Sequence, residues 1–203
     1  MNLLHHLLVA ENLREKLQWS PSVRGQMLLG AIAPDAHTEV PGLGRSTFHP
    51  KPGNDPVAAT LKLAEPSGCP THGRRRAFIV SVIAHLVADE LTRRHDYHLP
   101  PHAPTGFQPI ESEDFDAPGV IDIGALVRSL MRVRSDCSLG PLGSDAIDRK
   151  RWEVLGRWPL TEPRDRYLVV EPLFTLVRHC TGEALMRMYR SDAGAALLGS
   201  WRA

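Results

Sequence analysis

The segment Arg76–Arg94 constrains the fold most, because it carries Phe78-Ile79-Val80-Ser81-Val82-Ile83-Ala84 as one unbroken, almost wholly apolar run. A helix that is apolar on nearly every side belongs at the centre of a packed domain, since any open side would leave apolar surface in water. The remainder of the chain must supply its cover, and it is patterned as helices. Leu3, Leu7, Ala10, Leu13 and Leu17 recur on one face of a helix running from Leu3 to about Gln18. Ser20-Pro21 pairs an N-cap residue with proline at the first helical position, a start signal for Val23–Ile32, which Pro34 ends. Further helices are expected at Val57–Ala64, Val120–Arg134, Ala146–Leu155 and Glu171–Tyr189, and alternating strand patterns are scarce. The expectation is an all-α, bundle-like single domain over residues 1–203. Two long loops belong to it: Asp35–Pro70, rich in glycine and proline, and Pro100–Pro118, acidic at Glu111–Asp116.

Composition narrows the function classes. A net charge of +1 and 6% aromatic residues argue against a surface that coats or stacks on long nucleic acid. No apolar run approaches the roughly 18 residues of a membrane span, and the N-terminus has no basic leader, so a cytoplasmic protein is expected. Cys69, Cys137 and Cys180 are scattered, with no C-x-x-C motif, and are expected as reduced thiols.

Ten histidines is the unusual number, and they cluster with carboxylates. His85 and Asp89 stand four residues apart on the central helix, so both project from one face, one turn apart. His179 and Glu183 repeat that spacing on the last long helix. Imidazole nitrogen and carboxylate oxygen both bind Zn²⁺ near 2.0–2.2 Å, and a buried carboxylate such as Asp89 requires a cation or strong donors. The expectation is a histidine–carboxylate metal centre, with zinc the first candidate and manganese, iron or nickel compatible with the same ligands. His6 lies on the apolar face of the first helix, whereas His5 should point outward toward Asn12 and Lys16. Asp35 follows Gly30-Ala31-Ile32-Ala33-Pro34, and His49 sits in the loop with little packing reason to be there.

The ordered set His6, Gly30-Ala31-Ile32-Ala33-Pro34-Asp35, Thr47-Phe48-His49, His85-Leu86-Val87-Ala88-Asp89, His95 and His179-Cys180-Thr181-Gly182-Glu183 resembles the zinc-dependent phospholipase C and P1/S1 nuclease superfamily. The resemblance covers residues 6 to 98 well and the C-terminal helix more loosely. It implies an all-helical hydrolase of phosphate esters with a cluster of two or three zinc ions. Asp35, His49, His85 and Asp89 would hold one ion, and Asp89 would bridge to a second that His6 also binds. His95, His179 and Glu183 would hold the third, with His98 and His102 as alternatives to His95 or His179. Asp35 would be a ligand or the base that orients water, and the substrate a small phosphoester or phospholipid. The chain departs from the family in three ways. Met1 stands where secreted members use a processed N-terminal tryptophan, 84 residues separate His95 from His179, and the family's disulfides have no counterpart.

Two rival readings follow from other residues. His95-Asp96 is the dipeptide of HD-type phosphohydrolases, a reading that leaves Asp35 and His49 outside the site. A non-catalytic protein whose metal ties loops together would instead show a closed four-ligand site. Arg74-Arg75-Arg76 is either a solvated turn or a phosphate-facing group, and Cys69-Pro70-Thr71-His72 lacks the second pair that a Cys/His metal site needs.

Overall fold

The computed structural model describes residues 3–51, 53–64, 73–94, 120–134, 136–156, 167–169 and 171–199. They form an all-α fold of eight helices: α1 Leu3–Lys16, α2 Arg24–Ile32, α3 Pro56–Ala64, α4 Gly73–Arg94, α5 Ile123–Arg132, α6 Ser144–Gly156, α7 Glu171–Tyr189 and α8 Asp192–Leu198. None of these helices is long and apolar enough to cross a membrane.

The apolar run places α4 as expected. Every residue from Ala77 to Leu91 is buried, and α1, α2, α3, α7 and α8 pack around it. The closest partner is α2. A Cβ added at Gly30 would stand 2.2 Å from the Phe78 carbonyl oxygen, so the two helices touch backbone to backbone where only glycine fits. That approach also brings the Ala31 carbonyl against His85.

Three segments differ from expectation. Pro34 does not stop the chain from turning: α2 passes at Ala33 into a 3-10 helix that runs to Glu39, because proline removes one donor but suits a helical first turn. Val120–Asp122 is extended rather than helical, pairing antiparallel with Tyr167–Val169 in a two-stranded ribbon. The helix begins only after Asp122, whose side chain caps it by accepting from the Ala125 amide. Helix α8 was not expected. It is short and built of small residues, and its start is marked by Ser191, which accepts from the Gly194 amide. The expected loop 100–118 lies outside the described residues, as do Cys69 and His72. Cys137 and Cys180 are free and buried, and burial pushes both thiols up to about 12.

Candidate metal centre

Four segments far apart in sequence deliver the site: α1 brings His6, the 3-10 turn after α2 brings Asp35, the segment after Gly44 brings His49, and α4 brings His85 and Asp89. His85 is fixed by the close packing at Gly30. Its Nδ1 lies 2.7 Å from the Ala31 carbonyl oxygen, and since a carbonyl only accepts, Nδ1 carries the proton and Nε2 presents a lone pair to the site. His49 is held in the same way by the Arg45 carbonyl at 3.3 Å, which leaves Nε2 facing inward. A third histidine, His37, donates from Nδ1 to the Pro34 carbonyl at 2.9 Å.

The inward atoms converge. His49 Nε2 is 3.2 Å from His85 Nε2, 3.2 Å from Asp89 Oδ2 and 3.5 Å from Asp35 Oδ1, while His85 Nε2 is 3.9 Å from Asp35 Oδ1. On the far side of Asp89, Oδ1 lies 3.4 Å from His6 Nε2, and the His6 ring stacks on His85 with centroids 3.7 Å apart. His6 Nδ1 is buried with no hydrogen-bond partner. Two inward nitrogens separated by 3.2 Å, with two carboxylates beside them, repel one another unless a positive charge lies among them, and either a proton on His49 or a bound cation supplies it. The spacing suits a metal: two ligands at 2.0–2.1 Å on a tetrahedral zinc stand ~3.3 Å apart. The residues present therefore fit a divalent ion, on separation as well as on donor chemistry.

Electrostatics agree with that geometry. Burial would raise the carboxyl of Asp89, but hydrogen bonds from His49 and His6 outweigh it and hold the group well below the usual carboxylate range. Asp35 is held low in the same manner by His49 and the neighbouring imidazoles. Burial, reinforced by His6, pushes His85 down to about 3, so this ring is neutral, the form in which imidazole ligates. His49 moves the other way: burial lowers it, but bonds to Asp35 and Asp89 prevail and raise it.

The site is closed below and open on one side. The side chains of His85, His49, His6 and Asp89 are each at most 4% exposed, whereas Asp35 is 31% and Arg45 53% exposed. Arg45 reaches Asp89 Oδ2 at 2.5 Å.

Of the residues singled out in the sequence, the structure brings His6, Asp35, His49, His85 and Asp89 together. It does not bring His179 or Glu183 to them. Helix α7 turns Val177, Cys180, Ala184 and Met188 inward, His179 is exposed, and Glu183 is bonded by Arg187 at 2.9 Å. His95, His98, His102 and Asp96 lie outside the described residues. His5 corrects an expectation: it is as buried as His6, because α1 is covered by α2, α4 and α7 on several sides rather than one, and burial pushes it down to about 3. His37 was missed. Its ligating atom lies within 4.8 Å of those of Asp35 and His49, and the available signal was a histidine two residues beyond a candidate aspartate. Arg74–Arg76 form the first turn of α4. Eleven residues of helix, about 16 Å along the axis, separate Arg74 from His85. Arg76 bonds the Leu197 carbonyl and lies over Trp19, which makes it a packing residue.

The chain matches no family model, no curated protein and no solved structure.

Proposed function

We propose that this chain is a metal-dependent hydrolase of phosphate esters, a phosphodiesterase of the phospholipase C and P1 nuclease type. The observation that carries the reading is the convergence on His49 Nε2 of His85, Asp89 and Asp35, at 3.2, 3.2 and 3.5 Å, with His85 and Asp35 3.9 Å apart and the Asp35 side open to solvent. These four residues would hold one zinc ion, and Asp89 Oδ1 with His6 would hold part of the shell of a second. A pair of divalent ions supplies Lewis acidity toward a phosphoryl oxygen and brings the pKa of a coordinated water toward 7.

The chain's own residues complete the arrangement. The backbone carbonyls of Ala31 and Arg45 accept hydrogen bonds from Nδ1 of His85 and His49, so both Nε2 atoms are aimed into the site before any ligand arrives. The buried walls formed by α1, α2 and α4 exclude bulk water from below. Asp35, ionised and one-third exposed, stands where it can both ligate and accept a proton from water at the open side. That open side favours catalysis over a purely structural metal, which would be enclosed. Asp35 and His49 would have no role in an HD-type site, yet they pack directly on His85 and Asp89.

The test is hydrolysis of bis(p-nitrophenyl) phosphate by protein loaded with zinc, compared with Asp35→Asn. Turnover that requires the metal and falls by about a hundredfold or more in the variant is the expected result. A fully loaded wild type that cleaves neither phosphodiesters nor phosphomonoesters would favour the structural reading instead.

A further inference from the structure

Arg45 is the one arginine among the described residues that is bonded to a side chain of the cluster; Arg93 donates from Nε to the Asp89 backbone carbonyl instead, at 3.0 Å. Other partly buried arginines are committed elsewhere: Arg14 and Arg24 to Glu11, Arg187 to Glu90 and Glu183, Arg151 to the Leu130 and Val133 carbonyls. The Arg45 side chain makes a single bond, from Nη2 to Asp89 Oδ2. A guanidinium has five N–H donors in a planar fork, so most of them remain available, on a side chain that is 53% exposed at the open edge of the site. Its backbone has a separate task, because the Arg45 carbonyl accepts from the amides of Phe48 and His49 and from His49 Nδ1.

We propose that Arg45 is the anion-receiving arm of the site, one N–H steadying Asp89 while the rest of the fork takes two oxygens of a phosphate-class group. The proposal rests on the hydrolase reading for its substrate class and adds the residue that recognises it. Planar, paired N–H groups match two oxygens of a phosphate bidentately, which a lysine ammonium does not. Anchoring the fork on Asp89 places the bound anion beside the carboxylate that both ions would share, at the face left open by Asp35.

The experiment titrates inorganic phosphate into zinc-loaded protein by calorimetry, for the wild type, Arg45→Ala and Arg45→Lys, with bound zinc counted in each by elemental analysis. Because the Arg45 carbonyl survives both substitutions, His49 keeps its orientation. The expected result is unchanged zinc content in all three, phosphate affinity weakened about tenfold or more in Arg45→Ala, and partial recovery in Arg45→Lys. Equal phosphate affinity in wild type and Arg45→Ala would overturn the proposal. So would loss of zinc from Arg45→Ala, which would make the side chain a prop for Asp89 alone. A wild type that takes up no zinc would sink the hydrolase reading separately. The same titration on zinc-free protein would then judge Arg45 by itself: weaker binding by Arg45→Ala supports the arm, and equal binding rejects it.

Discussion

His85 and Asp89 on α4, and His179 and Glu183 on α7, share one residue spacing and meet opposite fates. The first pair is buried, and its inward atoms face imidazoles and a second carboxylate at 3.2–3.9 Å. In the second, the histidine is exposed and the carboxylate is bonded by Arg187, which also bonds Glu90 at 2.5 Å. Both carboxylates meet a guanidinium, Glu183 that of Arg187 and Asp89 that of Arg45, so the arginine alone does not separate them. What separates them is that Asp89 also has the imidazoles of His49 and His6 against its two oxygens, at 3.2 and 3.4 Å, and imidazole nitrogens are themselves ligands for a cation. Four-residue spacing on a helix thus places two ligands side by side, and the neighbouring elements determine what they ligate.

The sharpest way to break this comparison is to count bound ions. Asp89→Asn and Asp89→Ala should each lose at least half of the zinc that the wild type retains after dialysis, whereas His179→Ala and Glu183→Gln should retain all of it, by elemental analysis. Retention in the Asp89 variants, or loss in the α7 variants, would reverse the assignment of the two regions.

A smaller effect is expected from Arg187, which bonds both Glu183 and Glu90. Arg187→Ala removes the cation from Glu90, whose side chain is 9% exposed, and should lower stability by about 2 kcal/mol in urea denaturation, with ion content unchanged. If the variant gained an ion, Arg187 would be what keeps His179 and Glu183 from acting as ligands.

The smallest effect concerns Glu11, a second carboxylate satisfied by arginine. Arg14 and Arg24 each donate to it through two nitrogens at 2.6–3.1 Å. Burial by itself would raise the Glu11 carboxyl, but the two guanidinium groups outweigh it and hold the group below its ordinary value. With the folded pKa below the unfolded one, this contribution is complete above the ordinary glutamate pKa and is lost as pH falls through the folded value. Glu11→Gln should therefore cost about 1 kcal/mol near neutral pH, and the gap in melting temperature to the wild type should close as pH drops below about 4. A gap that is constant with pH would mean that the cost is packing rather than charge.

Much of the fold was legible in the residues. The apolar run of α4 and the Ser20-Pro21 start signal put α4 and α2 close to where they form, Ser20 capping the 3-10 turn Pro21–Val23 that leads into α2. On α7 a stripe of Val177, Cys180, Ala184 and Met188 faces inward. That stripe also held an unread message. Positions 179 and 183 fall on the opposite side of it, so their exposure follows from helical period alone. The burial of His5 was not legible, because one-sided periodicity suggested one covered face and α1 is covered on several. The ribbon pairing Val120–Asp122 with Tyr167–Val169 was hidden for the same kind of reason, since a three-residue strand exists through its partner rather than its own pattern.

By itself, then, the sequence determined that the protein is helical, that α4 is central, and that His85 and Asp89 share a face, since 3.6-residue periodicity is a property of neighbouring residues. Tertiary packing decided the rest. It brought His6, Asp35 and His49 to within 3–4 Å of that face, and the backbone contact at Gly30 aimed His85 by its Ala31 hydrogen bond. It also gave Glu183 an arginine. These outcomes depend on which distant surfaces meet, because side-chain charge is balanced by neighbours in space rather than neighbours in the chain.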